Sequence, residues 1–261
     1  MLFYFSATGN SLYVAKQLEK EENLVSIPQI INQDNLVFED ERIGIVCPVF
    51  GHLPPAMVTE FLKKATFKTE YFYVILTYGN RHGGASKLVD DLLINECDKK
   101  ANYIHMVLMV DNFLPAFDME EQLKIDKKID EQLAIIKRDI QDKKNEIEAV
   151  TEEDLAAHQG YIDRMAAIPV DVYKDMYQVN DDCIGCGICT KVCPAKCIEI
   201  IDGKPNYDYD NCQACMACIH HCPVKAIKLT SMPEKNPNAR FINENIKLTE
   251  IIEANNQKNK K

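Results

Sequence analysis

Two four-cysteine arrays constrain this chain more than anything else in it. Cys183, Cys186, Cys189 and Cys193 follow the spacing C-x2-C-x2-C-x3-C, with Pro194 next. Cys212, Cys215, Cys218 and Cys222 repeat it, with Pro223 next. The repeat runs on: Cys193-Pro194-Ala195-Lys196-Cys197-Ile198 aligns with Cys222-Pro223-Val224-Lys225-Ala226-Ile227. Nine of the 11 cysteines lie between residues 183 and 222. A secreted disulfide framework has an even number of cysteines at spread spacings. An odd total packed into one segment reads instead as metal or redox chemistry. The opening Met1-Leu2-Phe3-Tyr4-Phe5 has no basic stretch before its apolar residues and does not read as an export signal. A cytoplasmic location is expected.

The spacing has a physical cause. Three thiolates two residues apart, on a loop winding around a cube of iron and sulfide, each reach one iron of a [4Fe-4S] cluster. Zinc sites bring cysteines in pairs, often with histidine. Residues 176–232 resemble the bacterial eight-iron ferredoxins, in which the fourth cysteine of each array points to the other cluster. The resemblance implies cluster one on Cys183, Cys186, Cys189 and Cys222, and cluster two on Cys212, Cys215, Cys218 and Cys193. Gly185 and Gly187 read as positions where backbone passes close to sulfide and offers N–H···S bonds. Cys197 stands where the other half has Ala226 and reads as a small buried residue. His220 and His221 read as solvated neighbours of a full ligand set.

The N-terminal part carries a second pattern. Leu2-Phe3-Tyr4-Phe5 reads as a buried strand, Ser6-Ala7-Thr8-Gly9-Asn10-Ser11 as a loop, and Leu12, Ala15 and Leu18 as the face of a helix. Loop N–H groups and hydroxyls converging on a helix N-terminus make an anion site. The loop lacks the lysine of a Walker A motif and is not G-x-G-x-x-G; a well-capped helix start fits the same residues. Arg42–Cys47 and Tyr71–Thr77 read as further strands, each leading into a loop with glycine and an aromatic residue: Pro48-Val49-Phe50-Gly51-His52-Leu53 and Tyr78-Gly79-Asn80-Arg81-His82-Gly83-Gly84. A helix over 54–65 and one holding Ala85, Leu88, Leu92 and Leu93 follow them. Ile104–Val110 is a fifth strand. Ligands of an open parallel α/β sheet bind outside the carboxyl ends of its strands, and five of the 10 glycines lie in these three loops.

Farther on, Ile129, Leu133, Ile136, Ile140 and Ile147 mark one face of a long helix within 118–150. Leu155–Ile168 reads as another helix, and Pro169 as a boundary. With 46% hydrophobic and 27% charged residues, the chain is not of a disordered or fibrous class. No 18-residue apolar run marks a membrane span. The net charge of −10 argues against binding nucleic acid through its phosphates. The divisions expected are 1–168, a linker at 169–175, the cysteine-rich unit at 176–232, and a frayed tail at 233–261.

On these residues the N-terminal part resembles flavodoxin, and the whole chain is similar to the flavodoxin–ferredoxin fusion family. Asn236-Pro237-Asn238-Ala239-Arg240-Phe241 and Ile251-Ile252-Glu253-Ala254-Asn255 add to that likeness. It implies an α/β fold with a doubly wound, five-stranded parallel sheet, followed by a small α+β ferredoxin-like domain. It implies FMN phosphate on Ser6, Thr8, Gly9, Asn10 and Ser11. Phe50 and Tyr78 would flank the ring system, with Pro48, Gly51, Gly79, Asn80 and Gly83 beside them. Where flavodoxins commonly carry tryptophan this chain has Phe50, and only 28–41 separates the second and third strands, which points to a shortened second helix. His82 reads as a solvated loop histidine. The function implied is electron relay between two clusters and FMN, with redox proteins bearing basic patches as partners. Two other readings stay open: a flavin-dependent reductase of a small acceptor, and a docking module whose flavodoxin-like domain lacks FMN. The chain shows no nicotinamide fingerprint.

Overall fold

The computed structural model describes residues 1–168, 175–230 and 232–257. All of the expected linker but Asp175 lies outside the described residues, as does the Lys-rich end at 258–261.

The N-terminal domain is built around two nearly continuous apolar runs. Strands β4 (Arg42–Pro48) and β6 (Tyr71–Tyr78) are buried along almost their whole length, as the centre of a parallel sheet requires. With β1 (Leu2–Tyr4), β2 (Leu24–Ser26), β7 (Tyr103–Leu108) and β8 (Glu146–Ile147) they form a six-stranded sheet ordered β2-β1-β4-β6-β7-β8. Every pair in it is parallel. Side chains alternate along β6: Phe72, Val74 and Leu76 meet α3 (Ala56–Lys64) and α4 (Ala85–Glu96) on one face. Tyr71, Tyr73 and Ile75 meet α1 (Asn10–Leu18) and α6 (Ile129–Gln141) on the other. The direction of winding reverses between β1 and β4, so the loops leaving these two strands border the crevice where such sheets hold ligands. A parallel ribbon, β3 (Val37–Glu39) with β5 (Thr66–Lys68), lies apart from the sheet. The second helix, α2 (Ile27–Ile30), is one turn long, as the short 28–41 stretch implied. Helix α5 (Met119–Gln122) is equally short.

The sheet has six strands rather than five because Ile147 is not part of the helical face assigned to it. Helix α6 stops at Gln141, Lys143 takes a positive φ of 49°, and the chain turns so that Ile147 pairs with Ile104. Helix α7 (Glu152–Ala166) follows, started by a capping box between Thr151 and Asp154.

The cysteine-rich part is internally repeated. Strand β9 (Tyr177–Val179) pairs antiparallel with β12 (Ile227–Leu229), and β10 (Ile198–Ile201) with β11 (Lys204–Tyr207). Helices α8 (Ile188–Val192) and α9 (Ala217–His220) carry the third cysteine of each array, Cys189 and Cys218, as their second residue. Among the described residues no helix is long and apolar enough to cross a membrane.

The described part of the tail, up to Gln257, is not frayed. Ala239, Phe241, Asn243, Ile246, Ile251, Ala254 and Asn255 are buried, and α10 (Leu248–Ala254) packs beside α8 and the sheet. Arg240 and Glu234 form a buried ion pair at 2.7 Å. Asn255, fully buried, donates from Nδ2 to Ser6 O (3.3 Å) and to Val192 O (2.9 Å), which ties the first loop to the cysteine-rich part. Its apolar residues are spaced too widely for periodicity to reveal this packing. Asn255→Ala leaves two buried carbonyls without that donor, so it should cost about 2 kcal/mol, read as a lower denaturant midpoint with an unchanged m-value.

Candidate metal centre and neighbouring loops

The structure brings the cysteines together in crossed sets. One cavity is bordered by Cys183, Cys186, Cys189 and Cys222, the first three from one array and the last from the other. A second is bordered by Cys212, Cys215, Cys218 and Cys193, the converse combination. Among the described residues no three His, Cys, Asp or Glu side chains converge closely enough to hold a single ion. A tetrahedral zinc site needs four ligands about 2.0–2.3 Å from one point; thiols ringing a cavity suit a larger guest.

Each cavity is shaped by backbone in the left-handed region. In the first array Gly185 and Gly187 have φ of 65° and 70°. The equivalent positions of the second are Ala214 and Met216, at 49° and 59°. The same loop is therefore built without glycine and carries strain of about 1–2 kcal/mol per residue. Amides turn toward sulfur in consequence: Ala214 N–H donates to Cys212 Sγ (3.4 Å) and Ala226 N–H to Cys222 Sγ (3.2 Å). Two substitutions should act with opposite sign. Ala214→Gly should stabilise by about 0.5 kcal/mol, the strain relieved less the entropy cost of glycine. Gly185→Ala should destabilise by more than that, since its Cβ would also stand 3.1 Å from Gly203 O. Denaturant titrations of the two variants check both signs.

Cys197 is buried, as expected, but it is more than filler. Its Sγ lies 3.4 Å from Cys193 Sγ, and it borders the second cavity. Contact with Cys197 holds the Cys193 thiol below its ordinary value, and the same group lowers Cys212. Burial pushes Cys189 up to about 11. Tyr177 and Tyr207 border the second cavity, their rings 5.1 Å apart. The Tyr177 hydroxyl is buried without a hydrogen-bond partner among the described residues. The first cavity is walled instead by aliphatic residues, including Ile184, Ile188, Ile200 and Val224.

The two histidines before Cys222 are not solvated. His220 and His221 are 2% and 4% exposed. His220 Nδ1 accepts from Phe241 N–H (3.1 Å), and its Nε2 lies 2.9 Å from Asn112 O. Burial holds its imidazole neutral, with a pKa of about 3. Asn112 in turn donates from Nδ2 to Thr8 Oγ1 (2.6 Å). On the other side, Gln213, between Cys212 and Cys215, accepts from Met57 N–H at the start of α3 (2.9 Å). The second array thus touches two strand-end loops of the N-terminal domain. Asn112 and Gln213 were not singled out from sequence. For Asn112 the available signal was its place just past β7, another strand end.

The first of those loops has an unusual hydrogen-bond balance. Three of its carbonyls are engaged: Ser6 O by Asn255, Thr8 O by Asn243 N–H (2.9 Å), and Gly9 O by Tyr13 N–H (2.8 Å). The backbone N–H groups of Ala7, Thr8, Gly9, Asn10 and Ser11 have no acceptor among the described residues. Ser6, Thr8 and Ser11 are nearly inaccessible. Gly9 precedes α1 with a φ of 104° and has no side chain to cap it; the first-turn N–H of Leu12 is taken by Ser6 Oγ instead. A Cβ on Gly9 would come within 2.8 Å of Asn243 Cβ. The capped-helix reading is met at Leu12 alone, through Ser6. Of the polar side chains, Ser11 Oγ meets Thr77 Oγ1 (2.8 Å), Asn10 Nδ2 donates to Val110 O (3.0 Å), and Ser6 Oγ accepts from Leu12 N–H (3.2 Å).

Pro48 ends β4, and the turn after it closes with an antiparallel bridge between Phe50 and Leu53. The Phe50 ring stands edge-on to Phe5 at 6.3 Å. Tyr78 ends β6, and His82 stands edge-on to it at 5.1 Å. His82 is half-buried, and its Nε2 lies 3.5 Å from Asp154 Oδ1. Gly79 lies against Asp111, Gly83 against His52, and Asn80 is exposed. Helix α7 runs over this pair of loops: Tyr161 touches Gly51, Leu155 touches Gly84, and His158 Nδ1 lies 3.2 Å from His52 Nδ1.

Residues 175–223 match the family model described as a 4Fe-4S dicluster domain. The cysteine-rich part is thus supported as a ferredoxin-like iron–sulfur domain. The match covers this part alone, and no curated protein matches the chain. A dicluster domain accounts for both cavities and for the density of cysteines around them.

Proposed function

We propose that the protein relays low-potential electrons, one at a time, through two [4Fe-4S] clusters to an FMN held at the carboxyl ends of β1, β4 and β6. Cluster one takes Cys183, Cys186, Cys189 and Cys222; cluster two takes Cys212, Cys215, Cys218 and Cys193. The observation that carries this reading is the pair of cavities, each bordered by three cysteines from one array and the fourth from the other, with Cys197 also at the second. The chain order of the sheet strands, 2-1-3-4-5 with a sixth at the edge, supports a flavodoxin-like domain.

The residues present fit the phosphate of FMN. The five N–H groups of Ala7–Ser11 lack acceptors among the described residues, while the carbonyls of Ser6, Thr8 and Gly9 are engaged, and buried donors of that kind demand a partner. When bound, a flavin exchanges electrons in pairs or singly, whereas a [4Fe-4S] cluster exchanges one. The chain supplies position. Gln213 on Met57 and His220 on Asn112 hold the cluster-two loop against the loops of Phe50 and Thr8. No diffusional step then separates cluster two from the flavin loops.

Stopped-flow reduction by a limiting one-electron donor tests the relay. Cluster bleaching followed by a change in flavin absorbance, at a rate independent of protein concentration, is expected. A second phase that scales with concentration ends the internal relay. The contacts of Tyr161 and Leu155 with Gly51 and Gly84 favour a second reading, in which α7 covers the flavin slot and the N-terminal domain serves docking alone. Anaerobically purified protein that releases no flavin on denaturation would establish that reading in place of the first.

A further inference from the structure

The two cluster cavities differ in what surrounds them. Cys193 and Cys218 of the second are buried, and its loop is pinned to the N-terminal domain through Gln213 and His220. The first opens outward. Cys186 is exposed, and three aliphatic side chains that border the cavity stand in solvent: Ile184 at 65%, Ile200 at 40% and Val224 at 37% exposure. Ile184 sits between two ligand positions and is the most exposed large hydrophobic residue among the described residues. Exposed apolar side chains gathered at one functional group mark a contact surface.

The charge beside this patch is acidic. Asp181 and Asp182 precede Cys183, and both are exposed. Asp202 belongs to the turn whose Gly203 carbonyl lies against Gly185. The neighbouring cation, Lys204, is paired with Asp181 at 2.7 Å. Of the other lysines in the domain, Lys196, Lys225 and Lys228 are hydrogen-bonded to the tail. Four thiolates holding a cluster add to the negative charge.

We infer that the cluster-one face, centred on Ile184, Ile200 and Val224, is the port at which a one-electron redox protein docks, and that this partner presents an apolar centre ringed by lysine or arginine. The inference rests on the relay reading above and adds its direction: external electrons cross at cluster one, and cluster two is the inner member. At each encounter a reduced partner loses one electron and the oxidised cluster gains it; no bond forms and no proton moves. Apolar contact sets the lifetime of the complex, and the carboxylates set the rate of encounter.

The test uses the full chain with both clusters loaded and a lysine-rich c-type cytochrome as the basic probe. Titration calorimetry at low ionic strength measures the dissociation constant in the oxidised state, where no electron moves. Ile184→Glu should raise it about tenfold, the effect of removing an apolar anchor. Asp182→Lys should raise it several-fold and flatten its dependence on salt. Ile135→Glu, on the exposed side of α6 at 46% exposure, should leave it within twofold. Iron content and bleaching by dithionite are read on the same samples. Full cluster content with unchanged binding in Ile184→Glu and Asp182→Lys, or equal weakening by Ile135→Glu, overturns the docking face and leaves the relay standing. Wild-type protein that fails to load two reducible clusters overturns the relay itself.

Discussion

Replacing Cys193 by serine should lower the iron content of anaerobically reconstituted protein from about eight atoms per chain to about four, the cost of one four-iron cluster. The cluster lost should be the one served by Cys212, Cys215 and Cys218, although Cys193 lies in sequence with the other array. The reason is spatial: Cys193 shares a cavity with those three thiols, while Cys222 closes the cavity of Cys183, Cys186 and Cys189. The substitution is best combined with Cys197→Ser, because the Cys197 sulfur stands 3.4 Å from that of Cys193 and is close enough to replace it. Cys222→Ser should give the mirror result. Electron paramagnetic resonance of the reduced protein distinguishes the two clusters by their loss. Retention of eight iron atoms in the double variant, or loss of the cluster served by Cys183, Cys186 and Cys189, defeats the crossed assignment.

The two arrays were legible because ligand spacing is local chemistry, whereas the crossing of their fourth cysteines came from the likeness to ferredoxins. Three thiolates must reach one cubane from one loop, and that fixes two-residue intervals whatever the rest of the chain does. The central strands were legible for a similar reason: apart from Arg42 and Thr77 at their ends, Arg42–Cys47 and Tyr71–Thr77 are runs without charged residues that suit burial on both faces. Interactions between distant segments were not. Nothing local to Asn243 or Asn255 shows that they engage carbonyls of a loop more than 200 residues away. His220 looks solvated beside a cluster, yet Asn112 and Phe241 enclose it. Ile147 matched a helical face by spacing, but the polar turn Asp142-Lys143-Lys144-Asn145 ends the helix first and leaves it free to pair with Ile104. The glycine-rich loops were located correctly at strand ends, whereas their cover, α7, was read only as another helix.

The loop that the tail grips is also where cofactor binding can be tested most sharply. FMN should bind at least about a thousandfold more tightly than riboflavin, which has the same ring system and no phosphate. A hydrogen bond to a charged group contributes about 1.5–3 kcal/mol, and three such bonds among the five N–H groups of Ala7–Ser11 exceed the roughly 4 kcal/mol that a thousandfold ratio requires. The side chains divide the work. Thr8 Oγ1 accepts from Asn112, so its own proton is available to the phosphate. Thr8→Ala should then weaken FMN by about ten- to a hundredfold and leave riboflavin unchanged. Asn10 is different, because its amide bridges Val110 O and Asn243 Nδ2. Its removal loosens the loop, and Asn10→Ala should weaken FMN through geometry while lowering thermal stability, which Thr8→Ala does much less. Gly9→Ala combines a positive φ with a Cβ 2.8 Å from Asn243, so it must shift either loop or tail and should abolish the preference for FMN. Fluorescence-quenching titrations with both flavins measure each ratio. Equal affinity for FMN and riboflavin in the wild type would show that the unpaired amides serve no phosphate.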